Sequence, residues 1–161
     1  MTLSFILNGE DVVVRCEADV RLIDILRTNF NLLGAKAGCL SGKCGFCAVI
    51  LNGSVVHACL VPAFRLRGSE VITIEGFSQS DEYRDIVAGF ARANLQSCGF
   101  CYTGIVMNAG ALLDKNSRPS REEILGAFSG IKCRCTDPDK LVQGIENTVE
   151  IRQRRLYGRS N

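Results

Sequence analysis

The stretch "GCLSGKCGFC", from Gly38 to Cys47, places three cysteines and three glycines within ten residues. Cysteine thiolates bind metals, and glycine lets the backbone adopt positive φ angles and approach a ligand without a Cβ atom in the way. Cys39, Cys44 and Cys47 follow the spacing C-x4-C-x2-C, and Cys59 follows after eleven further residues. This spacing, with a distant fourth cysteine, is typical of plant-type [2Fe–2S] sites.

The glycines of this stretch favour an iron–sulfur site over a zinc site. Backbone N–H groups turned towards the sulfurs stabilise the negative charge of a reduced cluster, and Gly38, Gly42 and Gly45 give the loop the freedom to present them. Structural zinc sites usually combine two short C-x2-C pairs, and this half of the chain contains one such pair. We therefore expect a [2Fe–2S] cluster here.

A second set of four cysteines lies in the other half of the chain. Cys98, Cys101, Cys133 and Cys135 have the spacing C-x2-C-x31-C-x-C. Cys98 and Cys101 precede a predicted helix, whose N-terminal dipole favours thiolates. Taken alone, this set also fits four buried structural thiols, although its Gly, Arg and Thr neighbours are not typical of a core. The ninth cysteine, Cys16, lies on a predicted strand and is interpreted as a buried residue.

Composition excludes several classes of protein. The 161 residues are 47% hydrophobic, and 19 basic residues nearly balance 17 acidic ones, so the chain has enough apolar residues for a packed core and no basic surface for nucleic acid. No apolar run approaches the roughly 20 residues of a membrane span, and the N-terminus lacks the basic start of a signal peptide. An odd number of cysteines does not suit a closed disulfide set. We expect a cytoplasmic chain with metal-bound thiolates.

The first half of the chain is predicted to form a small sheet with one helix. Leu3, Phe5 and Leu7 alternate with less apolar residues, and the pairs Asn8-Gly9 and Asn52-Gly53 predict hairpin turns. Between the hairpins, "DVRLIDILRTNF" has a helical pattern, with Asp19 as the expected N-cap. The expected order is strand, strand, helix, cysteine-rich loop and three strands.

The second half is predicted to be helical. Four stretches have apolar residues at helical spacing, and Ser120 followed by Glu123 predicts a capping box at the start of the third. Pro138 is expected in the first turn of the last helix. The sequence therefore predicts an α+β protein with a first domain over residues 1–76 and a helical domain over residues 77–161.

Taken together, three motifs resemble those of the small iron–sulfur subunit of the molybdenum hydroxylases, the xanthine dehydrogenase and aldehyde oxidoreductase family. The family pattern GC-x-x-G-x-CG-x-C corresponds to "GCLSGKCGFC", CG-[FY]-C-T-P-G to "CGFCYTG", and C-R-C-T-G to "CRCTD". The resemblance covers nearly the whole chain. It implies a plant-ferredoxin-like β-grasp domain followed by a four-helix bundle, each with one [2Fe–2S] cluster held by four of the eight cysteines.

The resemblance also implies a function and partners. Electrons from substrate hydroxylation would pass from a Mo-pterin site through the two clusters to FAD, with the Mo-pterin and FAD on a large and a medium partner subunit, in a heterotrimer or a dimer of heterotrimers. The chain would be the iron–sulfur subunit of a xanthine dehydrogenase-like oxidoreductase, without substrate chemistry of its own. The family commonly has a Gln that contacts the pterin directly before the first cysteine of the second motif. Here Ser97 holds that position and Gln96 lies one residue earlier, so both are candidate contacts to the pterin. Tyr102 and Thr103 replace the family's usual Thr-Pro.

Two other interpretations remain open at this point. The chain is alternatively a stand-alone two-cluster electron carrier or redox-sensing module, although no effector domain is visible. A zinc-stapled structural module is the third interpretation, which the C-x4-C-x2-C spacing disfavours. His57 is the single histidine, so the chain cannot supply the two histidines of a Rieske centre.

Overall fold

The first half of the chain folds into a five-stranded mixed sheet crossed by one helix. A computed structural model describes residues 1–158. The strands lie in the spatial order β2-β1-β5-β3-β4. Their bounds are Thr2–Leu7 (β1), Glu10–Arg15 (β2), Ala48–Leu51 (β3), Ser54–His57 (β4) and Glu70–Ile72 (β5). This order along the chain, and the α+β class, agree with the sequence-based prediction.

Hairpin turns set the register of the sheet. Asn8 and Asn52 have φ angles of 52° and 49°, which matches the turns predicted from the two Asn-Gly pairs. β1 and β2 pair antiparallel, and β1 pairs parallel with β5. Leu3, Phe5 and Leu7 point to the same face of β1 and are buried, which confirms the alternation read from the sequence.

Helix α1, Leu22–Thr28, lies across the buried face of the sheet. The prediction that Asp19 caps it is wrong: the N-cap residue is Arg21, and within the described chain this end has no side-chain capping bond. Instead, the backbone N–H of Leu22 donates to the carbonyl oxygen of Val61 at 2.7 Å. A free backbone N–H at the start of α1 is therefore satisfied by a tertiary contact and not by the predicted side-chain cap.

The second half consists of helices. Their bounds are Ile74–Phe77 (α2), Asp81–Arg92 (α3), Tyr102–Lys115 (α4), Arg121–Phe128 (α5) and Pro138–Tyr157 (α6). The four longer ones correspond to the four predicted helices, and α2 is an additional short helix. Ser120 and Glu123 form the predicted capping box of α5, and Pro138 begins α6. No helix within residues 1–158 has both the length and the apolarity to cross a membrane.

Two hydrophobic cores lie side by side, one under the sheet and one among the helices. The buried residues of the sheet core all lie between Leu3 and Val71 in the sequence. The helical core includes Phe90, Ile105 and Ile145. Phe46, from the first half, packs against the helical core. The predicted domain boundary between residues 76 and 77 falls inside α2 and stays a prediction.

Candidate metal centres

The first set of cysteines lies where the cysteine-rich loop meets the start of β3 and the end of β4. Cys47 immediately precedes β3, and Cys59 lies in a short 3-10 helix, Ala58–Leu60, that follows β4. The backbone N–H of Ala58 donates to the carbonyl oxygen of Cys47 at 3.0 Å, which holds these two segments together. Cys44, Cys47 and Cys59 are buried, and Cys39 is exposed.

Backbone N–H groups of the loop point at the sulfur atoms, as the glycine content predicts. The N–H groups of Ser41 and Lys43 donate to the Sγ atom of Cys39 at 3.4 and 3.1 Å. The hydrogen bonds from Ser41, followed by the one from Lys43, lower the pKa of Cys39 to about 6. The loop geometry that makes this possible includes positive φ angles at Gly42 and Gly45, of 72° and 78°. The loop therefore favours the thiolate that a metal needs.

The buried members of this set interact with one another. The pKa of Cys47 is raised to about 12, mainly by burial; the backbone N–H of Cys59 acts against this rise, and the thiols of Cys59 and Cys44 add to it. Such a thiol loses its proton readily when a metal coordinates it, because the metal supplies the compensating positive charge. Cys39, Cys44, Cys47 and Cys59 thus lie close together, and their role as the ligands of one cluster stays a prediction.

The second set lies between the start of α4 and the loop that joins α5 to α6. Cys101 is the N-cap residue of α4, so its thiol lies at the positive end of the helix dipole. The Sγ atoms of Cys101 and Cys133 are 2.8 Å apart. Cys98 and Cys135 are exposed, and each thiol is among the causes of the shifted pKa of the other. Segments 32 residues apart in sequence therefore bring all four thiols together.

Backbone groups also stabilise the charged form in the second set. The N–H groups of Phe100 and Cys101 are the largest causes of the lowered pKa of Cys98. Gly99, which has a φ angle of 78°, shapes this turn. Burial raises the pKa of Cys101 to about 12, with Cys133 contributing further. As in the first set, a buried thiol has a raised pKa and an exposed thiol a lowered one, but here the exposed Cys135 also has a raised pKa, caused first by Cys98.

Each group consists of four cysteines, which is the ligand set of a [2Fe–2S] cluster. Within residues 1–158, no three His, Cys, Asp or Glu side chains are placed to hold one metal ion. A [2Fe–2S] cluster spreads its four thiolates over two irons, so it needs two pairs of sulfurs instead of four converging on one point. All nine cysteines are free, so no disulfide competes for these thiols. The N–H groups that donate to sulfur would stabilise the negative charge of such a cluster.

The two groups of cysteines lie next to each other across the boundary between the two cores. The backbone N–H of Lys132 donates to the carbonyl oxygen of Cys44 at 2.9 Å, which bonds the loop before Cys133 to the first loop. A Cβ atom on Gly104 would lie 2.5 Å from the carbonyl oxygen of Gly45, so α4 approaches the first loop at backbone distance. A short protein path therefore connects the two sites.

The two residues predicted to contact a pterin lie beside the second set. Ser97 accepts a hydrogen bond from the N–H of Gly99 at 3.4 Å, and the carbonyl oxygen of Gln96 accepts one from Thr136 at 3.3 Å. Both residues line an open surface groove of about 500 Å³, together with Tyr102. Their contact to a pterin stays a prediction.

Two residues of the sequence analysis lie outside these groups. The interpretation of Cys16 as a buried strand residue is wrong in both parts: it follows the end of β2 and is half-buried, packed against the edge of the sheet core. His57 ends β4 and is half-buried. Sequence reasoning missed the bond from Lys132 to Cys44 and the contact of Thr103 with Gly34, because backbone acceptors leave no residue signature. The glycine at position 104, inside a helix, was a usable signal of close approach.

Comparison with known proteins gives two adjacent family matches. A model described as a 2Fe-2S iron-sulfur cluster binding domain matches residues 5–71, and one described as a [2Fe-2S] binding domain matches residues 73–146. The nicotinate dehydrogenase small FeS subunit of Eubacterium barkeri is 39% identical over 93% of this chain and 96% of its own length.

Longer proteins and solved structures match as well. The aldehyde oxidoreductase of Megalodesulfovibrio gigas is 35% identical over 90% of this chain, which corresponds to 16% of that protein. A chain in the crystal structure of quinoline 2-oxidoreductase from Pseudomonas putida 86 superposes with a TM-score of 0.87, at 32% identity, over 98% of this chain and 97% of that one. The matched region is thus nearly the whole of one relative and about a sixth of another.

Proposed function

The chain belongs to the iron–sulfur subunits of the molybdenum hydroxylase family, and from this we propose that it relays electrons from a Mo-pterin site on a large partner subunit to FAD on a medium one. Its own cofactors are two [2Fe–2S] clusters, one for each matched domain. When bound, each cluster accepts and releases one electron. Substrate chemistry would take place on the partner.

We assign the ligands from the two connected groups of thiols. The first cluster would be held by Cys39, Cys44, Cys47 and Cys59. The second would be held by Cys98, Cys101, Cys133 and Cys135. The support is that all eight thiols are free, that backbone N–H groups donate to sulfur in the first group, and that the Sγ atoms of Cys101 and Cys133 are 2.8 Å apart in the second.

One observation carries the proposal of a relay: the hydrogen bond from the N–H of Lys132 to the carbonyl oxygen of Cys44. Lys132 directly precedes Cys133, so two proposed ligands of different clusters are joined by a few covalent bonds and one hydrogen bond. A protein with two independent clusters would have no need of such a link. The residues of this link are proposed to hold the two sites at a fixed separation for electron transfer.

The groove beside Gln96 and Ser97 supports the direction of the relay. It lies next to Cys98, on the surface of the helical half, and is open to solvent. We propose that the Mo-pterin subunit covers this groove, so that electrons enter through the second cluster and leave through the first. The exposed thiol of Cys39 and the exposed side chain of Leu40 then lie on the exit side.

The names of two relatives suggest which substrates to test first. They refer to nicotinate and quinoline, which are both aromatic nitrogen heterocycles. We propose that the partner subunit oxidises a compound of this class, in a heterotrimer or a dimer of heterotrimers. The aldehyde oxidoreductase match makes an aldehyde the first alternative in the same panel.

The test uses the complex purified through a tag on this chain. Nicotinate, quinoline, xanthine and an aldehyde are added separately without oxygen, and the electron paramagnetic resonance (EPR) signals of reduced clusters are recorded. The proposal predicts that one substrate class reduces both clusters in the complex, and that the isolated chain stays oxidised with all of them. Reduction of the isolated chain by a substrate would contradict it.

A further inference from the structure

Gly34 is held from both sides by residues of the second half of the chain. Its backbone N–H donates to Oε1 of Glu75 at 2.7 Å, and its carbonyl oxygen accepts from the hydroxyl of Thr103 at 2.9 Å. Glu75 belongs to α2, and Thr103 is the second residue of α4. A single peptide segment between α1 and the first cysteine loop is therefore bonded to two different helices.

The packing around Gly34 leaves no room for a side chain. A Cβ atom at this position would lie 2.1 Å from Cγ2 of Ile74. The other carboxylate oxygen of Glu75 accepts from the hydroxyl of Thr73 at 2.7 Å, so this carboxylate is fixed as well. The segment at Gly34 is thus placed by close contact in addition to its two hydrogen bonds.

The segment after Gly34 forms the base of the first cysteine loop. Ala35 is buried, and its carbonyl oxygen accepts from Arg27 at 3.0 Å. The N–H of Lys36 donates to the carbonyl oxygen of Phe46 at 3.1 Å, which closes a loop that contains the proposed ligands Cys39 and Cys44 and ends directly before Cys47. A displacement at Gly34 would therefore be passed to the loop as a whole.

The hydroxyl of Thr103 is available for this contact because it does not cap its own helix. The N-cap residue of α4 is Cys101, and within the described residues no side chain caps this end. Thr103 lies two residues after Cys101, so the bond to Gly34 runs from the proposed second site to the base of the first. The motif of the family usually has proline at this position, and proline has no donor.

We propose that Thr103 is a positioning residue, whose hydroxyl fixes the base of the first cluster loop relative to the helix that begins at Cys101. This inference rests on the proposed function, in which both sites belong to one relay. The hydroxyl acts through Gly34, and within residues 1–158 it has no hydrogen bond to a proposed ligand. It adds to the bond from Lys132 to Cys44 a second tether on the other side of the loop.

The test compares Thr103→Val, which removes the hydroxyl at nearly constant volume, with Thr103→Ser, which retains it. Thr28→Val is the matched control, because the hydroxyl of Thr28 donates within α1 to the carbonyl oxygen of Asp24. Hydrogen exchange is measured on the backbone of residues 33–37 in the iron-loaded complex. The magnetic interaction between the two reduced clusters is measured by EPR, since the dipolar part falls with the cube of the distance between the spins.

Thr103→Val is expected to speed exchange at residues 33–37 by about five-fold, the change in a local opening equilibrium that corresponds to one ordinary hydrogen bond. It is also expected to alter the splitting between the clusters, whereas Thr103→Ser and Thr28→Val match the wild type in both measurements. Unchanged exchange and splitting in Thr103→Val, or the same changes in Thr103→Ser, would overturn the proposal. If the proposed function itself were wrong, the wild-type complex would contain no molybdenum, which is a different result from either of these.

Discussion

The rings of Phe46 and Phe100 meet edge to face, with centroids 5.3 Å apart and planes at 89°. Each of these residues directly precedes a proposed ligand, Cys47 in the first set and Cys101 in the second. The aromatic pair therefore lies at the junction of the two sites. Phe46 is half-buried against the helical core, and Phe100 is 47% exposed.

This pair is expected to couple the stability of the two halves. In a double-mutant cycle with Phe46→Leu and Phe100→Leu, the coupling free energy should be about 0.5–1.5 kcal/mol, the usual value for an aromatic pair. Chemical unfolding of the iron-loaded chain measures it. Phe5 and Phe30, whose rings lie 6.3 Å apart within the first half, give a comparison pair that does not bridge the two halves. Additive effects of the two substitutions would show that the rings touch without stabilising the junction.

Ligand substitutions should affect the two clusters separately. If each [2Fe–2S] cluster is held by its own four cysteines, as proposed, Cys44→Ser removes one EPR signal and about half of the iron, and Cys101→Ser removes the other signal. Cys16→Ser is the control and should retain both signals. If Cys44→Ser removed both signals while the chain remained folded, the assignment of the thiols to two sites would be wrong.

A side chain at Gly104 should destabilise the protein, whereas a side chain at Gly126, another helical glycine, should not. Gly104→Ala places a Cβ atom 2.5 Å from the carbonyl oxygen of Gly45 and should destabilise the chain by about 1–3 kcal/mol through overpacking. On Gly126, in α5, a Cβ atom would meet no described atom within 4 Å. Gly126→Ala should therefore stabilise the chain by about 0.5–1 kcal/mol. Thermal unfolding of both variants tests this, and equal effects would refute the close approach of α4 to the first loop.

The link between Lys132 and Cys44 uses a backbone donor, so it can be removed without touching a ligand. Lys132→Pro deletes the N–H group and should cost about 1–3 kcal/mol, because the carbonyl oxygen of Cys44 loses its partner. Lys132→Ala keeps the N–H and should behave as the wild type. Stopped-flow reduction of the complex should show slower transfer between the clusters in Lys132→Pro alone. Equal rates in the two variants, with both EPR signals intact, would remove this bond from the relay.

Much of the fold was predictable from local patterns. The Asn-Gly turns, the alternation of Leu3, Phe5 and Leu7, and the capping box of α5 are encoded by neighbouring residues, and the structure contains all of them. The prediction for Asp19 failed because a backbone carbonyl from Val61, distant in sequence, satisfies the start of α1. Local propensity carries no information about such a partner.

The candidate site was predictable in composition and less so in arrangement. The spacings C-x4-C-x2-C and C-x2-C predict two groups of cysteines, and that each group shares one cluster stays a prediction. The contacts between the two groups depend on how the two cores pack. The bonds of Lys132 to Cys44 and of Thr103 to Gly34 both end on backbone carbonyl oxygens, which every residue type provides.

The central claim is a two-cluster relay within a molybdenum enzyme, and metal analysis of the native complex tests it most directly. The complex is purified from its source through this chain, and iron, inorganic sulfide, zinc, molybdenum and flavin are quantified on one sample. The account predicts about four irons and four sulfides for each copy of the chain, with molybdenum and flavin in constant proportion. Zinc in place of iron, or an iron-loaded chain that purifies alone without molybdenum, would contradict it.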